Sequence, residues 1–463
     1  MQLPERHSLF GLTAAAGLSP QRFIADAGGH ITFDALAAGN WISAAPDTFR
    51  GRTVLISSVR QLPAALALLS LDGIARRLLL CPPDLAPAHL PTILAAGEVD
   101  AIVTDGTGPA AAGSADIPVI RCGDVPGPAE AAGARDVTTE WLLFTSGTTG
   151  PPKLVVHTLA TLTGPLNDGL VVPNDAVWST FYDVRRYGGV QILLRALLGG
   201  GSMVLSQADE PLAEFLTRAG RSGVTHISGT PSHWRRALMS PSSGQISPRY
   251  VRLSGEVADQ AILDALAAAY PDANVAHAFA STEAGVGFDV RDGRAGFPTS
   301  LIGDRSGAAE LRVVDGSLRI RSTRTASRYL GAKGSLSDAD GFVDTGDMVE
   351  ARGDRYYFVG RREGIINVGG QKVHPEEVEA IINQHPAVRM TRVWGRRSPI
   401  TGAIVVADIV LRAAGSASCF DAIRAEILEE CGRALPAHKV PTTLREVASL
   451  DVNASGKLAR SHA

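Results

Sequence analysis

Apolar residues come in short runs through the first two thirds of the chain, and most runs end on a glycine or a small polar residue. Residues 53–57 (TVLIS), 78–81 (LLLC) and 101–104 (AIVT) are apolar runs of strand length, separated by windows with helical spacing. That alternation predicts parallel α/β units. It resumes at 141–144, 176–179 and 202–205, with helical windows at 190–198 and 211–221. Three further stretches, 225–232 (THISGTPS), 250–256 (YVRLSGE) and 274–284 (NVAHAFASTEA), share one design in which an apolar strand empties into Gly, Ser, Thr or Glu. Ligands of open parallel sheets bind beyond the carboxyl ends of strands, so these ends predict one shared crevice. Between 106 and 135 the chain is rich in Gly, Ala and Pro and reads as a loose connection.

Beyond residue 303 the period changes to two. Residues 310–314, 317–321 and 356–359 alternate apolar and polar positions and are joined by turns such as Asp315-Gly316 and Gly353-Asp354. From Arg361 onward the pattern is α+β: a helix over 375–384 opened by Pro375 with Val378, Ile381 and Ile382 on one face, a strand over 403–410 and a helix over 420–435. The expected fold is therefore α/β, with a large N-terminal domain (1–360) of mixed or parallel sheets flanked by helices plus a small β-subdomain. A small α+β C-terminal domain (361–463) follows.

Composition narrows the class. The 463 residues are 45% apolar and carry a net charge of -3, enough for sizeable cores and contrary to a nucleic-acid-binding surface. Cys81, Cys122, Cys419 and Cys431 lie far apart with no zinc-ligand spacing, as expected of thiols in a reducing compartment. Glu5, Arg6 and His7 stand where a signal peptide needs an apolar core, and Asp72, Arg76 and Arg77 interrupt the most apolar long window. A cytoplasmic protein with no membrane partner and no nucleic-acid partner is expected.

The densest chemistry lies at 145–153, where Thr145, Ser146, Gly147, Thr148, Thr149, Gly150, Pro151, Pro152 and Lys153 follow an apolar strand. Glycines free the backbone to present N–H groups, hydroxyls add donors, and a lysine brings a mobile positive charge, so the stretch suits a phosphate cradle. The spacing is not GxxxxGK[ST]. A Ser/Thr/Gly turn on the surface before a helix is the plainer reading.

Five further stretches occur in a telling order: SGE at 254–256, FASTEAG at 279–285, DTGD at 344–347, GRREGIINVGGQKVHPEEVE at 360–379 and NASGKLAR at 453–460. With the cradle they resemble the motifs of the adenylate-forming superfamily, which includes acyl- and aryl-CoA synthetases, adenylation domains of peptide synthetases and luciferases. The resemblance implies that Thr145, Ser146, Gly147, Thr148, Thr149 and Lys153 hold ATP phosphates. It further implies that Thr282 touches the α-phosphate, Glu283 holds Mg2+, and Phe279 lies against adenine beside Ala280 and Ser281. Gly255 and Glu256 would border the nucleotide, and Asp347 and Arg361 would take the ribose. Glu363 would be the hinge of a mobile C-terminal domain, Gly369 and Gly370 would line a pantetheine passage, and Lys457 would be the catalytic lysine. The implied chemistry is activation of a small carboxylic acid to an acyl-adenylate, then transfer to a thiol. Coenzyme A is the favoured acceptor, with a carrier protein or an amine as alternatives, and an inactive nucleotide-binding homologue as a second alternative.

The chain departs from the family at 181–189 (FYDVRRYGG), which would face the acyl group. Asp183, Arg185 and Arg186 are unusual beside an apolar acid because buried charges need partners. With Tyr187, Gly188 and Gly229 they are candidates for a polar acyl pocket, Asp183 holding an amine or Arg186 a second acidic group. An ion-paired surface turn is the competing reading. Phe279 replaces the usual tyrosine and Glu363 the usual aspartate. His157, His226, His233 and His277 read as structural.

Overall fold

The computed structural model describes residues 8–110, 116–127, 133–145, 152–167, 175–305, 307–331, 335–399, 401–412, 417–453 and 456–459. Two eight-stranded sheets organise the large unit. In the first, Thr53–Ser57 pairs in parallel with both Arg77–Cys81 and Ala101–Thr104, and Glu140–Phe144 adds to Arg77–Cys81. In the second, Val177–Thr180, His226–Gly229, Tyr250–Ser254 and Asn274–Ser281 lie side by side in parallel. The Gln61–Leu71 helix is buried at every position, so it shows no polar face. It belongs to an apolar cluster with Val54 and Leu78 of the first sheet and Trp178 and Met203 of the second.

A third, antiparallel sheet of five strands forms the β-subdomain. Its Ala309–Val314 and Ser317–Ser322 strands are joined by two residues with positive φ, Asp315 at 50° and Gly316 at 75°. That is the two-residue turn that matches the twist of a hairpin. The sheet ends in Arg355–Arg361, after which a 3-10 turn, Arg362–Gly364, leads into the smaller unit. There the Pro375–Ile382 helix buries Val378 and Ile382 against antiparallel strands Val388–Ser398 and Gly402–Leu411 and the Ala417–Ala434 helix. The α/β class, with a large sheet unit, a β-subdomain and a small α+β unit, matches the expectation.

Among the strands that escaped the sequence pattern are two of nine and eleven residues. The span 106–135 is not all loose connection, because Val119–Gly127 is a strand paired with Ala101–Thr104 and Asn40–Ile42. The register against Asn40–Ile42 shifts, and such an irregularity accommodates Gly123 and Pro126 within a strand. Val388–Ser398 was hidden by Arg389, Arg392, Arg396 and Arg397, although Val388, Met390 and Val393 point inward. Among the described residues no helix is long and apolar enough to cross a membrane.

Candidate active site

Because His226–Gly229, Tyr250–Ser254 and Asn274–Ser281 run parallel and in register, their polar ends emerge along one edge. Gly255 turns with φ +88°, and a Cβ there would lie 3.6 Å from Lys457 Cε and 3.7 Å from Thr230 Cγ2. The lysine of the C-terminal unit therefore lies over the second of these strand ends. Glu256 fixes it from both sides: Oε2 accepts from the Ser232 amide at 2.9 Å and Oε1 from the Leu458 amide at 2.8 Å. Thr230 caps the Pro231–Met239 helix, accepting from the His233 amide at 3.0 Å, while its hydroxyl donates to the Gly456 carbonyl. The His233 ring, stacked on Phe181 at 5.4 Å, fills the space a side chain at residue 456 would need. Burial pushes the His233 pKa down to about 3.

Lys457 meets a convergent set of charges. Burial lowers its pKa and Arg361 adds to that, whereas Glu256, Asp347 and Glu283 oppose it. Asp347 and Arg361 face each other across neighbouring strands and pair at 3.0 Å, and Arg361 also donates to the Thr345 carbonyl at 3.1 Å. Coulombic attraction to Asp347 holds the Arg361 pKa up against desolvation. Glu283 accepts from the Tyr329 hydroxyl at 3.2 Å, and Lys153 Nζ lies 5.1 Å from the centre of the Tyr329 ring. Burial, reinforced by Glu283, pushes the Tyr329 phenol up to about 12.

The cradle stretch stands in a hairpin, not before a helix. Glu140–Phe144 and Leu154–Thr158 are antiparallel, and the Thr145 amide donates to the Lys153 carbonyl at 3.0 Å. Ser146, Gly147, Thr148, Thr149 and Gly150 lie outside the described residues. The second arm of the hairpin is tied to the other sheet by His157, whose Nε2 donates to the Thr282 carbonyl at 2.7 Å and whose Nδ1 lies 3.1 Å from Thr161 Oγ1. Burial holds the His157 pKa down to about 4, so this link is neutral imidazole. Phe279 stacks on Phe358 at 5.4 Å and Phe288 at 5.9 Å, next to a bulge that displaces Ala280 and Ser281. Glu363 follows Arg361 in the 3-10 turn. Gly369 and Gly370, with φ of 59° and 85°, turn the Ile366–Val368 and Gln371–Val373 hairpin.

The turn at 181–189 is ion-paired, as one reading of the sequence has it, but its Asp183–Arg185 pair is buried. Asp183 is not on the surface: Arg185 grips it with Nε at 2.7 Å, Nη2 at 2.5 Å and its amide at 2.8 Å. Burial alone would raise the Asp183 pKa, but Arg185 holds it below the ordinary carboxylate range. Arg185 also donates to the Val59 carbonyl at 3.1 Å, so the pair ties this turn to the first sheet, and an incoming amine would have to displace it. Arg186 is bound by Asp84 at 2.5 and 2.7 Å. Tyr187 begins the Tyr187–Leu198 helix with its ring 5.5 Å from His157, Gly188 packs under Tyr182, and Gly229 packs under Phe181. Sequence reasoning missed Thr230, Tyr329 and Tyr182, whose hydroxyl donates to the Ser254 carbonyl at 2.7 Å. Of these only Thr230 left a local trace, as a threonine directly before Pro231.

Residues 35–326 match the family model described as AMP-binding enzyme, and residues 377–457 match that of the AMP-binding enzyme C-terminal domain. A 2-succinylbenzoate–CoA ligase of Listeria monocytogenes serotype 4b (strain F2365) is 28% identical over 343 residues, covering 69% of this chain and 68% of its own length. A sulfoacetate–CoA ligase of Cupriavidus necator (strain H16) is 28% identical over 340 residues, covering 69% of this chain and 65% of its own. The crystal structure of an anthranilate–CoA ligase in complex with anthranoyl-AMP superposes with a TM-score of 0.81 at 18% identity, covering 98% of this chain and 96% of that one.

Proposed function

This chain belongs to the AMP-binding enzyme family, and we propose that it is an AMP-forming carboxylate–CoA ligase acting through two half-reactions. In the first, a carboxylate oxygen attacks the α-phosphorus of ATP, the bond to the β-phosphate oxygen breaks, and pyrophosphate leaves with the electron pair. In the second, the thiol of coenzyme A attacks the acyl carbon, losing its proton, and AMP departs. One observation carries the reading: Lys457, from the C-terminal unit, is docked over Gly255 within the electrostatic reach of Glu256, Glu283, Asp347 and Arg361.

Each role follows from the chemistry of its residue. An ammonium at Lys457 stands where negative charge builds between the carboxylate and the α-phosphate, which lowers the barrier electrostatically. Asp347 accepts hydrogen bonds from ribose hydroxyls, and Arg361 orients it through their 3.0 Å pair. Phe279, in its aromatic stack, offers a flat apolar face to adenine. Thr145, Lys153 and residues 146–149 bind the departing phosphates, and Thr282 binds the α-phosphate. The donor set fits magnesium arriving with ATP, an ion that holds one or two carboxylates, phosphate oxygens and water. Glu283 supplies such a carboxylate, with no lysine or arginine ion-paired to it among the described residues. When bound, the ion neutralises phosphate charge.

The chain then works as two bodies, 1–360 and 361–463. Turning at Glu363 withdraws Lys457 after the first half-reaction and brings the Gly369-Gly370 turn to the acyl-adenylate as the mouth of the pantetheine passage. Coenzyme A is preferred over a carrier protein or an amine because the relatives of similar length are named CoA ligases. ATP and coenzyme A are cytoplasmic metabolites, which supports a cytoplasmic location. The test is carboxylate-dependent pyrophosphate exchange across alkyl, aryl and amino acids, followed by coenzyme A with the best acid. Exchange and thioester are both expected. Exchange without thioester would overturn the acceptor and leave adenylation standing, and no exchange with any acid would overturn the whole reading.

A further inference from the structure

The second sheet carries an unexpected polar row just below its strand ends. On the face that packs toward the first sheet, Trp178, Tyr250 and Ala276 belong to the apolar cluster. Between that layer and Ser254, Thr180, Ser228 and Arg252 are cross-strand partners in register. Arg252 precedes Ser254 by two residues, so it shares a face with it and lies roughly 7 Å deeper.

Arg252 is only 5% exposed. Its Nη2 donates to Asp289 Oδ1 at 2.7 Å, and among the described residues no other acceptor lies within hydrogen-bond reach of its remaining N–H groups. Two further buried hydroxyls, Ser228 Oγ and Tyr250 Oη, have no partner among the described residues. The positive charge is concentrated there: Arg324, Arg252 and Arg195 all act on the phenol of Tyr187, which burial pushes upward, and Arg252 acts on that of Tyr182. Two hydroxyls buried without a partner beside a guanidinium are costly as they stand. An anion with several acceptor oxygens removes that cost.

We propose that this row is the far end of the acid-binding pocket, where Arg252, with Ser228 and Tyr250, receives a second anionic group on the acid whose first carboxylate is activated at Lys457. The inference rests on the carboxylate-activating reading above. The substrate class is then a short acid bearing a second carboxylate or a sulfonate. Lys457 lies over Gly255, three residues beyond Arg252, so the two recognition points are roughly 10 Å apart along the strand, a span bridged by a few atoms plus the two long side chains. Asp289 keeps the guanidinium in place, with Arg291 3.6 Å from its other oxygen.

The experiment compares matched acids that differ only at the far end: succinate and butyrate, glutarate and pentanoate, isophthalate and 3-methylbenzoate, sulfoacetate and propionate. Pyrophosphate exchange by the wild type should favour the dianionic member of the best pair by about tenfold or more, as sites built to bind a polar group reject analogues that lack it. The double variant Arg252→Leu, Asp289→Leu removes both buried charges together and so avoids a lone buried ion. It should bind ATP as the wild type does, lose about 50-fold in kcat/KM for the dianionic acid and change less than about threefold for its partner. Ser228→Ala, which leaves the ion pair intact, should cost about fivefold on the dianionic acid alone. A wild type that prefers the monoanionic member of every pair, or variants that keep the wild-type preference, would overturn the proposal while leaving adenylation intact. Failure of every acid to support exchange would instead sink the carboxylate-activating reading.

Discussion

The contacts joining the two large sheets and the contacts holding the C-terminal unit against them are chemically different. Between the sheets lie Val54, Leu78, Trp141, Trp178 and Met203 in one continuous apolar cluster around a fully buried helix. The cluster of the C-terminal unit, from Ile366 to Leu444, draws only on that unit's residues. What crosses between the units is polar: Thr230 to the Gly456 carbonyl, Glu256 to the Leu458 amide, Asn383 to Asp259 at 3.1 Å, and Arg352 to Glu377 at 3.4 Å. Apolar burial is non-directional and fixes a core, whereas a few directional bonds define one pose at little net stabilisation, since each is worth only ~1 kcal/mol. The first kind of contact suits a frame that stays, and the second suits the arrival and withdrawal that we propose for Lys457.

The largest expected break in that contrast comes from Gly456→Ala. A Cβ at Gly456 would fall 1.8 Å from His233 Cε1, and the backbone there has φ +77°. The ring has little room to yield, being stacked on Phe181 and hydrogen-bonded to Thr230. Overpacking of this kind costs ~1–3 kcal/mol, so pyrophosphate exchange should drop roughly 5- to 150-fold. Thioester formation from supplied acyl-adenylate should stay within about twofold, because that step does not use the docked pose.

A smaller effect is expected of Glu256→Gln, which keeps the shape but offers one acceptor oxygen to two amide donors, so the bond to Ser232 or to Leu458 is lost. Exchange at neutral pH should fall about fivefold for the loss of ~1 kcal/mol. Its pH profile sharpens the comparison further. Lys457 must be charged to act, its pKa already lies below the ordinary lysine value through burial and Arg361, and Glu256 is among the groups holding it up. Removing that negative charge lowers the pKa again, so the alkaline limb of exchange should move to lower pH, while thioester formation keeps its wild-type profile.

How far the sequence reveals all this depends on the range of the interaction. The strands Thr53–Ser57 and Ala101–Thr104 are legible residue by residue because they are buried on both faces and read as unbroken apolar runs. Val388–Ser398 is not, because half-exposed arginines break the run. In the site, Glu283, Asp347, Arg361 and Lys457 sit in local strings that carry the family resemblance, so each is legible in the sequence through that resemblance. Thr230 and Gly456 are 226 residues apart, and their hydrogen bond leaves no local trace. The charges at 183–186 were visible, but their consequence was not: Asp183 and Arg185 neutralise each other in the interior, at 10% and 1% side-chain exposure. The charge that we propose faces the acid is Arg252, inside an ordinary-looking strand.

The central claim is that one lysine serves one half-reaction from one pose. Lys457→Ala, assayed for both half-reactions in the same preparation, tests it most directly. Pyrophosphate exchange should fall about 10²- to 10³-fold, as expected when a charge placed against the transition state is removed. Formation of the CoA thioester from supplied acyl-adenylate should remain within about threefold of wild type, since Lys457 has withdrawn by then. An equal loss in both half-reactions, or an unchanged rate of exchange, would contradict the account.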